Sequence, residues 1–400
     1  MLYDEGMPRN PNKIDYSLGF TKNLTAFESL TDPRHPTGNL RHHFGEVIFM
    51  AFVSILCGIN SYELMEEFCN LQKKWFKKYL SLPNGIPSYN TFSRIFQAIE
   101  PNKFSQCIAQ HLDAIGYKGI NHHIAIDGKA LRGSRDQDHK HVHSVSAWAC
   151  DEGITLAQVF VSEKSNEITA IPELLELLDI EGSVVTIDAI GSQTAIAKKI
   201  VDKRGDYALG VKENQKALYD EISSQFEYAS KQLNLTEVSS GQWSYAKDVE
   251  KSHGRLSTRQ TVVCHNLDWM DTSIRERWEN LNSIIMVQRD VIGKDNQTHS
   301  ETSYYMSSLR NQGARAMQHF IRDHWRIENN SHWILDTVFK EDANQTKEKN
   351  SVKNYATMRR MALNLWNLEP EGEKKKSLPK RQLRALKDTD YLESILFSRM

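Results

Sequence analysis

An α/β fold is what this sequence predicts, and three observations carry it. Short apolar or alternating runs at 124–127, 142–149, 155–161 and 184–188 have the length and composition of strands. Helical patterns at 170–178 and 192–203 are interleaved with them, the second following the 184–188 run directly, as in a strand-to-helix unit. Ahead of His122 the pattern is helical, so a helical region precedes the sheet.

Taken in order, residues 1–24 mix Pro, Asn, Lys and Asp without periodicity and read as a loose arm. Residues 25–115 read as a helical domain with a possible DNA contact. Within it, 42–57 is almost continuously apolar and stops at Gly58, as a buried helix does. Ser61 has the position of an N-cap for the next helix, and 89–99 forms another behind Pro87, capped by Ser88 or Asn90. The sheet domain spans 120–370. After a strand at 207–211 and a helix at 212–230, residues 242–308 return to β-type composition with turn signals at Asn266 and 293–296, a β-rich insertion near 235–308. A long helix at 318–339 carries Glu328, and 355–365 forms another. Residues 371–400 read as a basic C-terminal tail, its cations at Lys374, Lys375, Lys376, Lys380, Arg381, Arg384 and Lys387 being a solvated charge run or, alternatively, a DNA contact.

Bulk properties exclude several classes. A chain of 400 residues that is 40% hydrophobic builds a large core, so disorder is excluded as the general state. Lys and Arg total 50 against 51 Asp and Glu, so affinity for a polyanion must come from local patches. The five cysteines are odd in number, widely spaced and without a C-x-x-C pair, which argues against a zinc knuckle or disulfide scaffold and points to reduced thiols in the cytoplasm. The polar N-terminus has no signal-peptide pattern, and the longest apolar run, 47–57, is too short to span a bilayer, so no membrane role is expected.

The chemistry-bearing residues start with Asp127 and Asp188, each closing an apolar strand-like run. On neighbouring strands two such carboxylates lie close enough to repel, and a divalent cation lets both stay ionised. A single Asp in this context serves equally well as a cap for the following turn; its repetition favours the paired reading. Further on, His324, Glu328 and His332 fall four residues apart on one helical stripe. No His-Glu-x-x-His spacing occurs, so Glu328 is the preferred magnesium ligand, with His324, Arg326 and His332 touching DNA or tuning the site; a packed or solvated histidine face is the alternative. His139, His141 and His143 alternate as on one strand face, better read as an exposed polar face than as a metal site. Lys164 with Asn166, and Lys212 with Asn214 and Gln215, fit phosphate or base-edge contacts, or plain surface turns, and Lys129 and Arg132 are read as further DNA contacts. His253, Arg255 and Arg259 form a basic hairpin-like element in the insertion, suited to a DNA backbone or simply a β-turn. The basic and aromatic stretch 73–79 lies equally well on DNA or along an amphipathic helix.

A set of strings in fixed order resembles the H-repeat-associated group of insertion-sequence transposases, part of the DDE class. They are Phe27-Glu-Ser-Leu-Thr-Asp-Pro-Arg34, Gly85-Ile-Pro-Ser-Tyr-Asn-Thr-Phe92, Ala125-Ile-Asp-Gly-Lys-Ala130, Lys164-Ser-Asn-Glu-Ile168, Thr186-Ile-Asp-Ala189, His324-Trp-Arg-Ile-Glu-Asn329 and Phe339-Lys-Glu-Asp342. Together they cover most of the chain. The resemblance implies a ribonuclease-H-like catalytic domain with a β-rich insertion between the second Asp and the Glu, preceded by a helical associated domain. It implies Asp127, Asp188 and Glu328 as the catalytic, metal-holding carboxylates, with Mg2+ or Mn2+ as cofactor. The Tyr, Arg, Glu and Lys pattern of the wider class is not kept: its slots hold Ile321, His324, Glu328 and Leu335, with Arg322, Arg326 and Lys340 the nearest substitutes. The expected activity is cutting and joining of insertion-sequence ends by two-metal phosphoryl transfer, with DNA as partner and a homodimer bringing two ends together. Two other readings compete: an inactive transposase-derived DNA-binding protein, and a ribonuclease-H-like nuclease without strand transfer.

Overall fold

The structure, a computed structural model, describes residues 27, 30–34, 40–114, 123–134, 141–161, 167–232, 241–252 and 254–397. The arm at 1–24 lies outside the described residues, as do His139, Lys164, Asn166 and His253.

Nine strands are described: β1 His123–Leu131, β2 Val142–Ala149, β3 Ile154–Val161, β4 Val184–Ile187, β5 Asp206–Val211, β6 Trp243–Ser252, β7 Arg255–Cys264, β8 Ser283–Ile292 and β9 Thr298–Ser307. They form one sheet in the order β3-β2-β1-β4-β5-β9-β8-β7-β6. The first three make an antiparallel meander, and β4 and β5 then join β1 in parallel. That sequence of pairings is the ribonuclease-H-like arrangement. The helices that serve it are α5 (Glu167–Glu176), leading from β3 towards β4, and α6 (Thr194–Asp202), the crossover between β4 and β5. The helical region ahead of the sheet contains α1 (Phe44–Leu56), α2 (Tyr62–Leu71), α3 (Tyr89–Ala98) and α4 (Pro101–Ala114). The continuous apolar pattern of α1 follows from burial around nearly its whole circumference. Its one acid, Glu46, accepts hydrogen bonds from the Ser81 backbone N–H at 2.8 Å and the Ser81 hydroxyl at 2.6 Å. Ser61 caps α2 as expected, accepting from the Leu64 N–H.

The β-rich segment following α7 (Lys216–Gln232) extends the sheet. Strand β9 pairs antiparallel with β5, from Ala208↔Ser307 to Val211↔Tyr304, and β8, β7 and β6 follow outward. A five-stranded sheet would leave the polar backbone groups of β5 open at its edge, and β9 satisfies them. The chain then returns as α8 (Ala314–His324), which packs Met317 and Ile321 on Val263, Ile285 and Val287 of the extension.

The helix expected over 355–365 is longer, α9 (Lys349–Asn367), and lies between the sheet and the N-terminal helices. Its buried amides bind in both directions. Asn354 Nδ2 donates to the carbonyls of Phe96 (2.8 Å) and Ile99 (3.0 Å), while Asn364 exchanges two 2.8 Å bonds with the Thr155 backbone. The charged run read as a solvated tail is folded, with α10 (Leu378–Lys387) and α11 (Thr389–Phe397) following α9. Leu378, Arg381, Gln382 and Ala385 are buried, and Lys380, Arg384 and Lys387 lie on the outer face, so the run is amphipathic. Arg381 pairs with buried Glu369, whose other oxygen accepts from the Tyr391 hydroxyl at 2.8 Å. All five cysteines are buried and unbridged. Among the described residues no helix is long and apolar enough to cross a membrane.

Candidate active site

Asp127 and Asp188 are placed by the register of two parallel strands. The last paired position of β1 and β4 is Ile126↔Ile187, and each Asp is the next residue along the chain, Asp127 within β1 and Asp188 just past the end of β4. Adjacent strands run about 4.8 Å apart, so both carboxylates belong to one small region at the end of β4. Asp127 Oδ1 accepts from the Gly128 N–H at 2.9 Å. Asp188 Oδ1 accepts from the N–H groups of Ile190 (3.1 Å) and Gly191 (3.2 Å), and its carbonyl accepts from the Ser192 hydroxyl. Asn214 Nδ2 donates to Ala189 O at 2.7 Å and Gln215 Nε2 to Ser192 O at 3.0 Å, so these amides brace the turn that carries Asp188.

Glu328 arrives from the opposite end of the chain. Ile327 packs with Ala125, Trp148 and Cys150, which sets the following residue beside β1. Glu328 opens a π-helical turn, Glu328–His332, that continues into a helical turn at Trp333–Thr337. Such wide turns often occur at functional sites. Here the single stripe expected of His324, Glu328 and His332 is broken: both histidines are inward and Glu328 is exposed. The break at Trp325 and the wide turn depart from the 3.6-residue period on which that stripe depended.

The Asp127 carboxyl is pushed up to about 7, first by burial and then, against the Gly128 hydrogen bond, by the negative charges of Asp188, Glu328 and Glu167. The charges of the other two expected carboxylates thus reach Asp127, and so does that of a fourth, Glu167. His332 Nδ1 lies 3.5 Å from Asp127 Oδ2. Burial, with Arg360, Lys129 and His324, pushes His332 down to about 3, so the contact is between a neutral ring and the carboxyl, not an ion pair. His324 is fully inside, its Nδ1 3.1 Å from the Thr186 hydroxyl, which also lies 2.9 Å from His123 Nε2.

The expected DNA contacts divide by environment. Lys129 is 7% exposed, and its ammonium sits 2.7 and 2.8 Å from the Asp336 carboxylate, with Glu341 and Asp342 each 3.9 Å away. It ties β1 to the helical turn after Glu328. Arg132 and Lys212 are exposed, Arg255 is exposed at the start of β7, and Arg326 pairs with Asp323 at 3.1 Å. Arg259 is half-buried and stands directly opposite Arg289 on β8. Its guanidinium is lowered by burial and then by the charges of Arg322 and Arg289. Among the described residues neither Arg259 nor Arg289 has a carboxylate within ion-pair distance, whereas Arg322 pairs with Glu250 at 2.6 Å. Arg289 escaped the sequence reading because only cross-strand register brings it to Arg259, and Arg322, read as a substitute for a missing class residue, reaches Arg259 from α8. Glu167 escaped it too, although it stood within one of the family strings; only its charge could have drawn notice.

Residues 118–365 match the Transposase DDE domain family, and residues 24–112 match the DDE_Tnp_1-associated family. The chain belongs to the DDE transposase family. This DDE transposase is 32% identical over 379 residues to "H repeat-associated putative transposase YhhI" of Escherichia coli (strain K12), spanning 94% of this chain and 98% of that one. It is 36% identical over 266 residues to "Uncharacterized protein in dhlA 3'region" of Xanthobacter autotrophicus, across 66% and 86% of the two chains. A solved piggyBac transposase synaptic complex with hairpin DNA aligns over 98% of this chain and 83% of that one, at 10% identity and a TM-score of 0.41.

DDE transposases generally depend on divalent metal ions. Among the described residues no three His, Cys, Asp or Glu side chains stand close enough to enclose an ion as they are. The donor set nonetheless suits Mg2+ or Mn2+: all its members are hard carboxylate oxygens, and anions surround Asp127 while Lys129 is committed to Asp336.

Proposed function

We propose that this DDE transposase cuts and joins DNA at insertion-sequence ends, with Asp127, Asp188 and Glu328 holding two Mg2+ or Mn2+ ions. One observation carries the reading: the two Asp residues each stand one position beyond the last pair of adjacent parallel strands, where the charge of Glu328 also acts. Divalent ions bound there supply Lewis-acid activation of an attacking hydroxyl and neutralise charge on the leaving oxygen. The chain's own part is positional. Backbone N–H groups hold one oxygen of each Asp, Asn214 and Gln215 fix the Asp188 turn, and Lys129 holds the Glu328 helix to β1.

DNA is the partner in this reading. Arg255, Arg259 and Arg289 on the sheet extension take its phosphates, with Arg132, Lys212, Arg326, Lys164, Asn166 and His253 as further contacts. Trp325 and Trp333, 44% and 60% exposed on either side of Glu328, offer ring faces to bases near the cut. A homodimer holds two ends for joining.

The test is cleavage of DNA carrying the ends that flank this gene, in Mg2+ or Mn2+, by wild type and Asp188→Ala. Joined products made by wild type alone are expected. Nicks without joining would indicate a nuclease, a shifted but uncut band from both proteins an inactive binder, and equal cutting by both would remove Asp188 from the site.

A further inference from the structure

We propose that Glu167 is a fourth carboxylate of the divalent-ion site, approaching it from the face of the sheet opposite Glu328. The inference rests on the proposed function, since it adds a ligand to the site proposed there. Strand β1 presents alternate residues to its two faces. Ile124 and Ile126 share a core with Ile171 and Leu174 of α5, whereas Ala125 packs with Ile327, next to Glu328. By the same alternation Asp127 faces the Glu328 helix and Gly128 faces α5.

Glu167 is the first residue of α5, and its carboxylate occupies the space where a Gly128 side chain would begin. A Cβ at that position would overlap both the carboxylate oxygens and their carbon. The missing side chain is what allows the anion to come up against the strand immediately after Asp127, and from there its charge acts on Asp127 and Asp188 alike. On the α5 side the charge of His143 acts on Glu167; on the Asp127 side the nearby cation, Lys129, is engaged by Asp336. A glycine opening that admits a carboxylate into an already anionic site opposes folding stability. It is accounted for if that carboxylate helps to bind a cation.

The experiment is Mn2+ titration by calorimetry on the full chain without DNA, paired with melting temperatures with and without Mn2+. The proteins are wild type, Asp188→Asn, Glu167→Gln and Gly128→Ala. Asp188→Asn should lose most of the binding. Glu167→Gln should weaken it by about tenfold or more. Gly128→Ala should act in the same direction by pushing the carboxylate aside with no change of charge. Without metal, Glu167→Gln should melt at or above the wild-type temperature, because a like charge has been removed. Binding by Glu167→Gln within twofold of wild type, with Asp188→Asn defective, overturns the role of Glu167 and leaves the site intact. Weakened binding together with a lower metal-free melting temperature is a folding effect and overturns it as well. No Mn2+ uptake by wild type, or wild-type uptake by Asp188→Asn, removes the proposed site and Glu167's part in it together.

Discussion

Thr186 shows how much one hydroxyl can organise: two buried rings, His123 from β1 and His324 from the end of α8, both meet it two residues before Asp188. Burial pushes His324 down to about 4 and His123 to about 3, so both rings are neutral in the folded protein, although an unfolded histidine titrates near 6.5. Below pH 6.5 the unfolded chain takes up protons that the folded one refuses. The stability these rings contribute is thus fully present above pH 6.5 and lost as the pH falls towards 4 and 3. Asp127, raised to about 7, works in the opposite sense, because the folded form takes up its proton first. Replacing one ring separates the two effects. For His324→Asn the stability lost between pH 7.5 and 5, measured from denaturant midpoints, should be smaller than in wild type by roughly 2 kcal/mol; equal losses would mean that His324 is not held neutral. At this scale the sequence was partly legible. Asp127 and Asp188 could be found because each ends an apolar run, a local signal. Glu167 could not, because its significance depends on a glycine 39 residues earlier in the chain.

Secondary structure followed from local pattern wherever the elements are regular, and departed from it at the wide turn after α8. A 3.6-residue count across 324–332 assumes an unbroken α-helix, and no side-chain pattern there announces the irregular turns at Trp325 and Glu328. The β7–β8 ladder is the other feature that spacing alone conceals. Arg259 and Arg289 stand directly opposite each other, with Asp248 on β6 and Glu301 on β9 as the outer members of the same cross-strand row, so two cations lie side by side at its centre. Arg259→Gln and Arg289→Gln should each weaken binding of duplex DNA and lower the slope of log K against log salt by about 1, with little or no loss of melting temperature. An unchanged slope in both would place the DNA elsewhere on the molecule.

Over the whole molecule, stability and site share one buried seam. Arg360 of α9 donates to Glu341 at 3.0 Å, both side chains being 1% exposed, and Glu341 is also 3.9 Å from the ammonium of Lys129. Removing one partner of a buried pair strands the other charge. Glu341→Gln should therefore cost roughly 3–5 kcal/mol in denaturant unfolding, and a cost below 1 kcal/mol would show that the seam is solvated. The sequence indicated that a helical region, a sheet and a β-rich stretch were present. It gave no sign that the last two form one sheet, because β5 and β9 pair across almost a hundred residues of chain. It also read Lys129 as a DNA contact because a lysine beside a candidate site motif shows its charge and not its burial. The joined sheet makes the protein a ruler. From β4, which ends one residue before Asp188, to β7, which carries Arg259, is four strand spacings, roughly 19 Å across a hydrogen-bonded layer. DNA gripped on β7 would meet the carboxylates at a fixed offset of about half a helical turn, set by backbone geometry and independent of the base sequence between.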